Sequence, residues 1–129
     1  MTTGDLELTL KVFGFEGQLT IHHARMTMDL DAGHQGTDRG MIGGVLDTEE
    51  LVTAINKLMG NFDPSQCSSQ FMADIDTQLR QASDILADGT QNPVAFCNGI
   101  SIGLGFKAKR VQFGAIGDPF PVAPDPCNP

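Results

Sequence analysis

The chain has no tryptophan and no tyrosine, so phenylalanine supplies all of its aromatic content. Chemistry that relies on a phenol or an indole is excluded, and the core must be built from aliphatic side chains, Met and Phe. Cations are scarce: 8 Lys and Arg stand against 16 Asp and Glu, for a formal charge of −8. Such a chain repels phosphate backbones unless its few cations cluster. The one basic cluster, KAKR from Lys107 to Arg110, is too small for a nucleic-acid footprint. No apolar run approaches the ~18 residues of a membrane span. The opening MTTGDLELTL lacks the basic-then-apolar layout of a secretory signal, so as expressed the chain is expected to stay in the cytoplasm.

Cysteine is also sparse, and its spacing excludes more. Cys67, Cys97 and Cys127 form no CxxC pair, which argues against a zinc knuckle or a thioredoxin-type motif. Two options stay open: one disulfide with an orphan thiol, or three free thiols.

What is present is a globular composition, 40% hydrophobic and 19% charged over 129 residues, enough for one domain with a modest core. In LELTLKVF, Leu6, Leu8, Leu10 and Val12 alternate with polar residues, the period-2 pattern of a half-buried strand. The glycines of GFEG then supply a tight reversal into an antiparallel second strand, roughly residues 18–31. On that strand His22, Ala24, Met26, Met28 and Leu30 fall on one face, and His23, Arg25, Thr27, Asp29 and Asp31 on the other. A polar loop over residues 32–40 leads to a short third strand, MIGGVL.

Helix signals follow. Asp47 can cap, and Glu50 sits at the third helical position of a capping-box-like DTEE. Leu51, Ile55, Leu58 and Met59 repeat at helical spacing, and Gly60 provides a stop. A second helix is expected over residues 69–87, with Phe71, Ile75, Leu79, Ala82 and Leu86 as its buried stripe. The last element, GISIGLGFKAKRVQFGAI, alternates apolar residues from Ile100 to Ala108 with a bare outer face. Its glycines lie inside a strand that no helix follows, so they point to close backbone approach or a bend rather than to a phosphate cradle. Five of the seven prolines fall in residues 118–129. The expected fold is α+β in the order β-β-β-α-α-β, an antiparallel sheet of about four strands packed with two consecutive amphipathic helices. Residues 1–117 form the domain and 118–129 an extended Pro-rich tail.

The segments VLDTEELVTAINKL, QLRQASDILADGT and CNGISIGLGFKAKRVQFG, with a Pro-rich tail that carries a cysteine, resemble the carboxy-terminal part of secreted bacterial lipoproteins of unknown function. The resemblance runs from about Leu6 to the end and brings no activity with it. It implies a parent with a signal peptide, a lipidated cysteine and an amino-terminal half, and hence that MTTG is an internal start of a truncated product. A sheet that has lost its partner half exposes an apolar face, and a homodimer is the expected way to bury it.

All three histidines, His22, His23 and His34, fall in TIHHARMTMDLDAGH. Such clustering beside carboxylates suits zinc, whose bound water becomes a nucleophile near neutral pH. The sharp expectation is a small zinc-dependent hydrolase of activated esters, phosphate esters among them. His22, His23, His34 and Asp31 would be ligands, Asp31 alternatively the base, and Arg25 would stabilise an oxyanion. Strand geometry resists this, because adjacent residues point to opposite faces. A bulge, the His34 loop folding back, or a second subunit would have to complete the shell. A Ser-His-Asp set drawn from Ser65, Ser68, Ser69, Ser83 or Ser101 lacks a nucleophile-elbow context. The alternative class is a non-enzymatic interaction or structural module.

Overall fold

The fold follows from one continuous meander. In the computed structural model, which describes residues 4–12, 14–118 and 124–128, four strands form a single antiparallel sheet in the order β1-β2-β3-β4. They are β1 (Gly4–Val12), β2 (Phe15–Asp29), β3 (Gly36–Asp47) and β4 (Gly99–Lys109). Between β3 and β4 come α1 (Thr48–Phe62), a 3-10 turn (Pro64–Ser68) and α2 (Gln70–Gln81). The α+β class and the β-β-β-α-α-β order are those expected from the sequence.

Several boundaries differ, each for a local reason. The first hairpin reverses between Val12 and Phe15, with Gly14 at φ 84°, so Gly17 lies inside β2 opposite Leu10. β3 begins at Gly36 rather than Met41, because the glycines of the expected loop serve the ladder instead. A Cβ on Gly40 would stand 2.3 Å from the ring of Phe106, its partner on β4. Only a residue without a side chain lets that ring lie across the strand, whereas within β4 Gly103 has open space at its Cβ position and Gly105 meets only the Gly40 carbonyl, at 4.0 Å.

Asp47 caps α1 as expected: its Oδ1 accepts from the backbone N–H groups of Glu49 (2.9 Å) and Glu50 (3.1 Å), worth about 1 kcal/mol. Gly60 does not stop the helix, which runs on to Phe62. Its bareness has another use, since a Cβ there would meet Sγ of Cys127 at 2.5 Å and of Cys67 at 2.9 Å. Those two cysteines form the disulfide, and Cys97 is a free, exposed thiol. The end of the Pro-rich tail is thus pinned onto α1, while residues 119–123 and 129 of that tail, and the first three residues of MTTG, lie outside the described residues.

α2 is capped by Ser69 and ends at Gln81, six residues before the expected end. The apolar stripe continues to Leu86, but the backbone beyond Gln81 is drafted elsewhere. The Asp84 carboxylate accepts from the N–H (2.7 Å) and the hydroxyl (2.5 Å) of Ser101, and Ile85 bridges Gly99 at the start of β4. Arg80, in the last turn of α2, closes a two-pronged bond to Glu49 in the first turn of α1 (2.7 and 3.0 Å).

Among the described residues the buried hydrophobic side chains are few: Ile21, Val45, Leu46, Val52 and Met72. They gather where the helices and residues 84–99 meet the near half of the sheet. The far half of β2, β3 and β4 projects beyond it as a three-stranded ribbon.

Candidate functional site

The histidine stretch lies on β2, and the strand is broken there. His22 pairs with Val45 and Arg25 with Gly43, so three residue steps on β2 oppose two on β3. This is a bulge centred on His23, whose φ of 52° costs about 1–3 kcal/mol and is tolerated by few side chains. The bulge undoes the simple even-odd alternation. His22 shares the face of Val45 and Arg25, while Met26, opposite Ile42, keeps the other.

The bulge is held from both sides. The backbone N–H of His23 donates to Asp5 Oδ1 at 3.4 Å. Gly89, whose φ of 79° suits a glycine, lies against the other side, where a Cβ would be in ordinary contact with the His23 ring at 3.5 Å. Nearby, Asp88 has its carboxyl held below the usual range by the Thr90 hydroxyl and backbone, with a smaller contribution from His23.

His22 has both ring nitrogens on carboxylates: Nε2 lies 2.8 Å from Glu50 Oε2, and Nδ1 lies 3.2 Å from Asp5 Oδ2. Only the imidazolium donates in both directions. The Glu50 bond raises the pKa of His22 above its ordinary 6.5, Asp5 adds to the effect, and partial burial opposes it. The result is a charged stitch that joins β1, the bulge of β2 and the first turn of α1. Glu50 was legible only as a capping residue. Its side chain turns to His22 instead of closing the box, and Asp5 carried no sequence signal at all.

The other candidates lie at the opposite end of the strand. His34, at φ 51°, and Asp31 belong to the β2–β3 turn, where the His34 N–H donates to the Asp31 carbonyl at 2.9 Å. The Asp31 carboxylate is occupied in shaping that turn, accepting the N–H of Gln35 at 2.8 Å. Eight or nine residues of strand separate this turn from His22, roughly 25–30 Å at ~3.3 Å per residue. Arg25 stands between, exposed and opposite Gly43. The structure therefore gathers His22 with Asp5 and Glu50, and His34 with Asp31, but does not bring the expected ligand set together. Among the described residues, no three His, Cys, Asp or Glu side chains are grouped to hold a metal ion. Ser101, one of the serines considered, binds Asp84, and no histidine joins that pair among the described residues.

Two larger surface features adjoin this scaffold. A cleft of about 740 Å³ opens between α1 and the β1–β2 hairpin, with Leu19, Leu46, Leu51 and Leu58 among its apolar lining and Glu50 among its carboxylates. On the far half of the sheet, Met26, Ile42 and Leu104 form one cross-strand row, and Met28, Gly40 and Phe106 the next. That face is apolar, and none of the described residues covers it. The opposite face carries Arg25, Thr27, Asp29, Met41 and Lys107 around the bare backbone of Gly43, Gly103 and Gly105. No helix among the described residues is long and apolar enough to cross a membrane. No protein-family model matches the chain, and neither a curated protein nor a solved structure is found to be similar to it.

Proposed function

We propose that the chain is a non-enzymatic interaction module that associates through the apolar face of its projecting ribbon, with a second copy as its partner. The observation that carries this reading is the pair of cross-strand rows just described. Met26 is 44% exposed, Met28 43% and Leu104 36%, side by side on one face, with Ile42 and Phe106 half-buried between them. A contiguous apolar patch of this kind on a chain of low aromatic content marks a contact surface more than chance. Full burial of one such side chain is worth about 1.5–3 kcal/mol, so a few of them offset much of the cost of association.

The hydrolase reading draws less support. Its ligands lie in two separate groups, and His22 already spends both nitrogens on Asp5 and Glu50. The disulfide between Cys67 and Cys127 supports an oxidising compartment for the mature protein, in keeping with a secreted or surface-anchored parent.

The test is the solution mass of the native chain beside Met28→Lys. The side chain is exposed, so the variant keeps its fold, and a lysine on the patch weakens association by well over tenfold. A native chain that stays monomeric to millimolar concentration refutes the proposal. Stoichiometric zinc, lost together with ester turnover in His22→Ala, would restore the hydrolase.

A further inference from the structure

The charge of this chain is unevenly placed. Residues 25–39 and 107–110 hold five of the eight Lys and Arg but only three of the sixteen carboxylates, Asp29, Asp31 and Asp38. The remainder has three cations against thirteen carboxylates. The helical end is thus strongly acidic and the far end of the ribbon mildly basic.

At that basic end the chain leaves the sheet. The Arg110 N–H donates to the Gln35 carbonyl at 2.6 Å, closing the ladder at the hairpin tip. Residues 111–118 then run free of regular structure, with Val111 83% exposed and Phe113 and Ile116 completely so. Three large apolar side chains, preceded by Lys107, Lys109 and Arg110, stand exposed, with none of the described residues over them.

The cleft between α1 and the first hairpin has the opposite character. Its apolar lining is mostly leucine with Phe15, and its charged lining is Glu16, Asp47, Glu49 and Glu50 against Lys57. These carboxylates already have partners in Lys11, the α1 backbone, Arg80 and His22, so the cleft is structured before anything enters it. Its volume of about 740 Å³ is in the range that takes several side chains of a guest segment.

We infer that the basic, apolar segment of residues 107–116 of one copy docks into the α1–hairpin cleft of a second copy. Val111, Phe113 and Ile116 fill the apolar lining, while Lys109 and Arg110 face the acidic end. The long-range field steers the encounter, and apolar burial holds it. Such a contact is heterologous, cleft to segment, and it propagates from copy to copy unless it closes into a ring. It uses residues distinct from the Met26 and Met28 face and stands or falls separately from it.

The experiment titrates a synthetic peptide of residues 107–117 into the full-length chain labelled at its Leu and Met methyl groups. Saturable shifts at Leu51 and Leu58, with Met26 and Met28 unmoved, are the expected result. Affinity should fall at least tenfold when the peptide carries Phe113→Asp, and severalfold between low and high salt. Thr53→Arg, at an exposed α1 position on the cleft, should block binding without unfolding the chain. In mixtures, full-length Phe113→Asp and Thr53→Arg, each unable to propagate this contact alone, should together form one Phe113–cleft junction. Peptide shifts centred on Met26 and Met28 would overturn the inference by placing the segment on the sheet face. Absence of any shift at millimolar peptide would overturn it as well.

Discussion

Removing the Cys67–Cys127 disulfide is the most demanding test of how this small core is held. The bond joins residues 60 apart in sequence. The chain-entropy relation for a loop of that size gives about 4 kcal/mol of stabilisation, at the upper end of what disulfides contribute. Few apolar side chains among the described residues are buried behind it, namely Ile21, Val45, Leu46, Val52 and Met72, and that amount is a large share of a typical net stability. For a chain of this length it corresponds to a fall of roughly 15 °C in Tm. The perturbation is the double variant Cys67→Ser with Cys127→Ser, which leaves Cys97 as the one thiol. The assay is thermal unfolding followed by far-UV circular dichroism, beside the native chain with and without reductant. Reduced native protein and the double variant should melt together, well below the oxidised chain. A difference of less than about 3 °C would refute the reasoning, because it would mean that the tail is not closing a loop over α1.

Three further outcomes follow from named contacts. His22 has a raised pKa in the fold, so its contribution is complete below pH 6.5 and is lost as pH rises through the raised value. The groups facing it are the carboxylates of Asp5 and Glu50, at 3.2 and 2.8 Å. Native stability in denaturant titrations should therefore fall by a few tenths to about 1 kcal/mol between pH 6 and pH 8, and Glu50→Gln should flatten the slope; an unchanged slope in that variant would remove Glu50 as the cause. Gly40→Ala forces a Cβ to within 2.3 Å of the Phe106 ring and should cost about 1–3 kcal/mol, whereas Gly103→Ala, with open space at its Cβ, should be neutral or slightly stabilising. Chelator treatment should leave Tm and solution mass unaltered, and a drop in either on dialysis against EDTA would reinstate a metal in the account.

The sheet was legible because its signals are local. Leu6, Leu8 and Leu10 alternate, Asp47 opens a helix, and Ile100, Ile102, Leu104 and Phe106 mark one face of β4. What escaped was set by partners distant in sequence. α2 stops at Gln81 although its stripe continues, because Asp84 is claimed by Ser101, 17 residues away. Gly60 read as a terminator and serves to admit a disulfide, and the loop glycines Gly36 and Gly40 read as punctuation and serve the ladder. At the histidine stretch the sequence named the right strand and allowed for a bulge. It did not point to Asp5, and it gave Glu50 another role, since neither is near His22 in the chain. Composition placed the histidines together, but 25–30 Å of strand keeps His34 from His22, as expected from ~3.3 Å per residue.

The central claim is that the Met26 and Met28 face of the ribbon is a contact surface. Methyl-labelled methionine offers a direct reading, because Met41 lies on the opposite face of the same ribbon and Met72 is buried in the core. The measurement is relaxation of each methyl signal by a soluble paramagnetic probe, over a hundredfold range of protein concentration. The account predicts that Met26 and Met28 become protected as concentration rises, while Met41 stays accessible and Met72 stays shielded throughout. Equal accessibility of Met26, Met28 and Met41 at every concentration, or protection of Met41 alone, would contradict it.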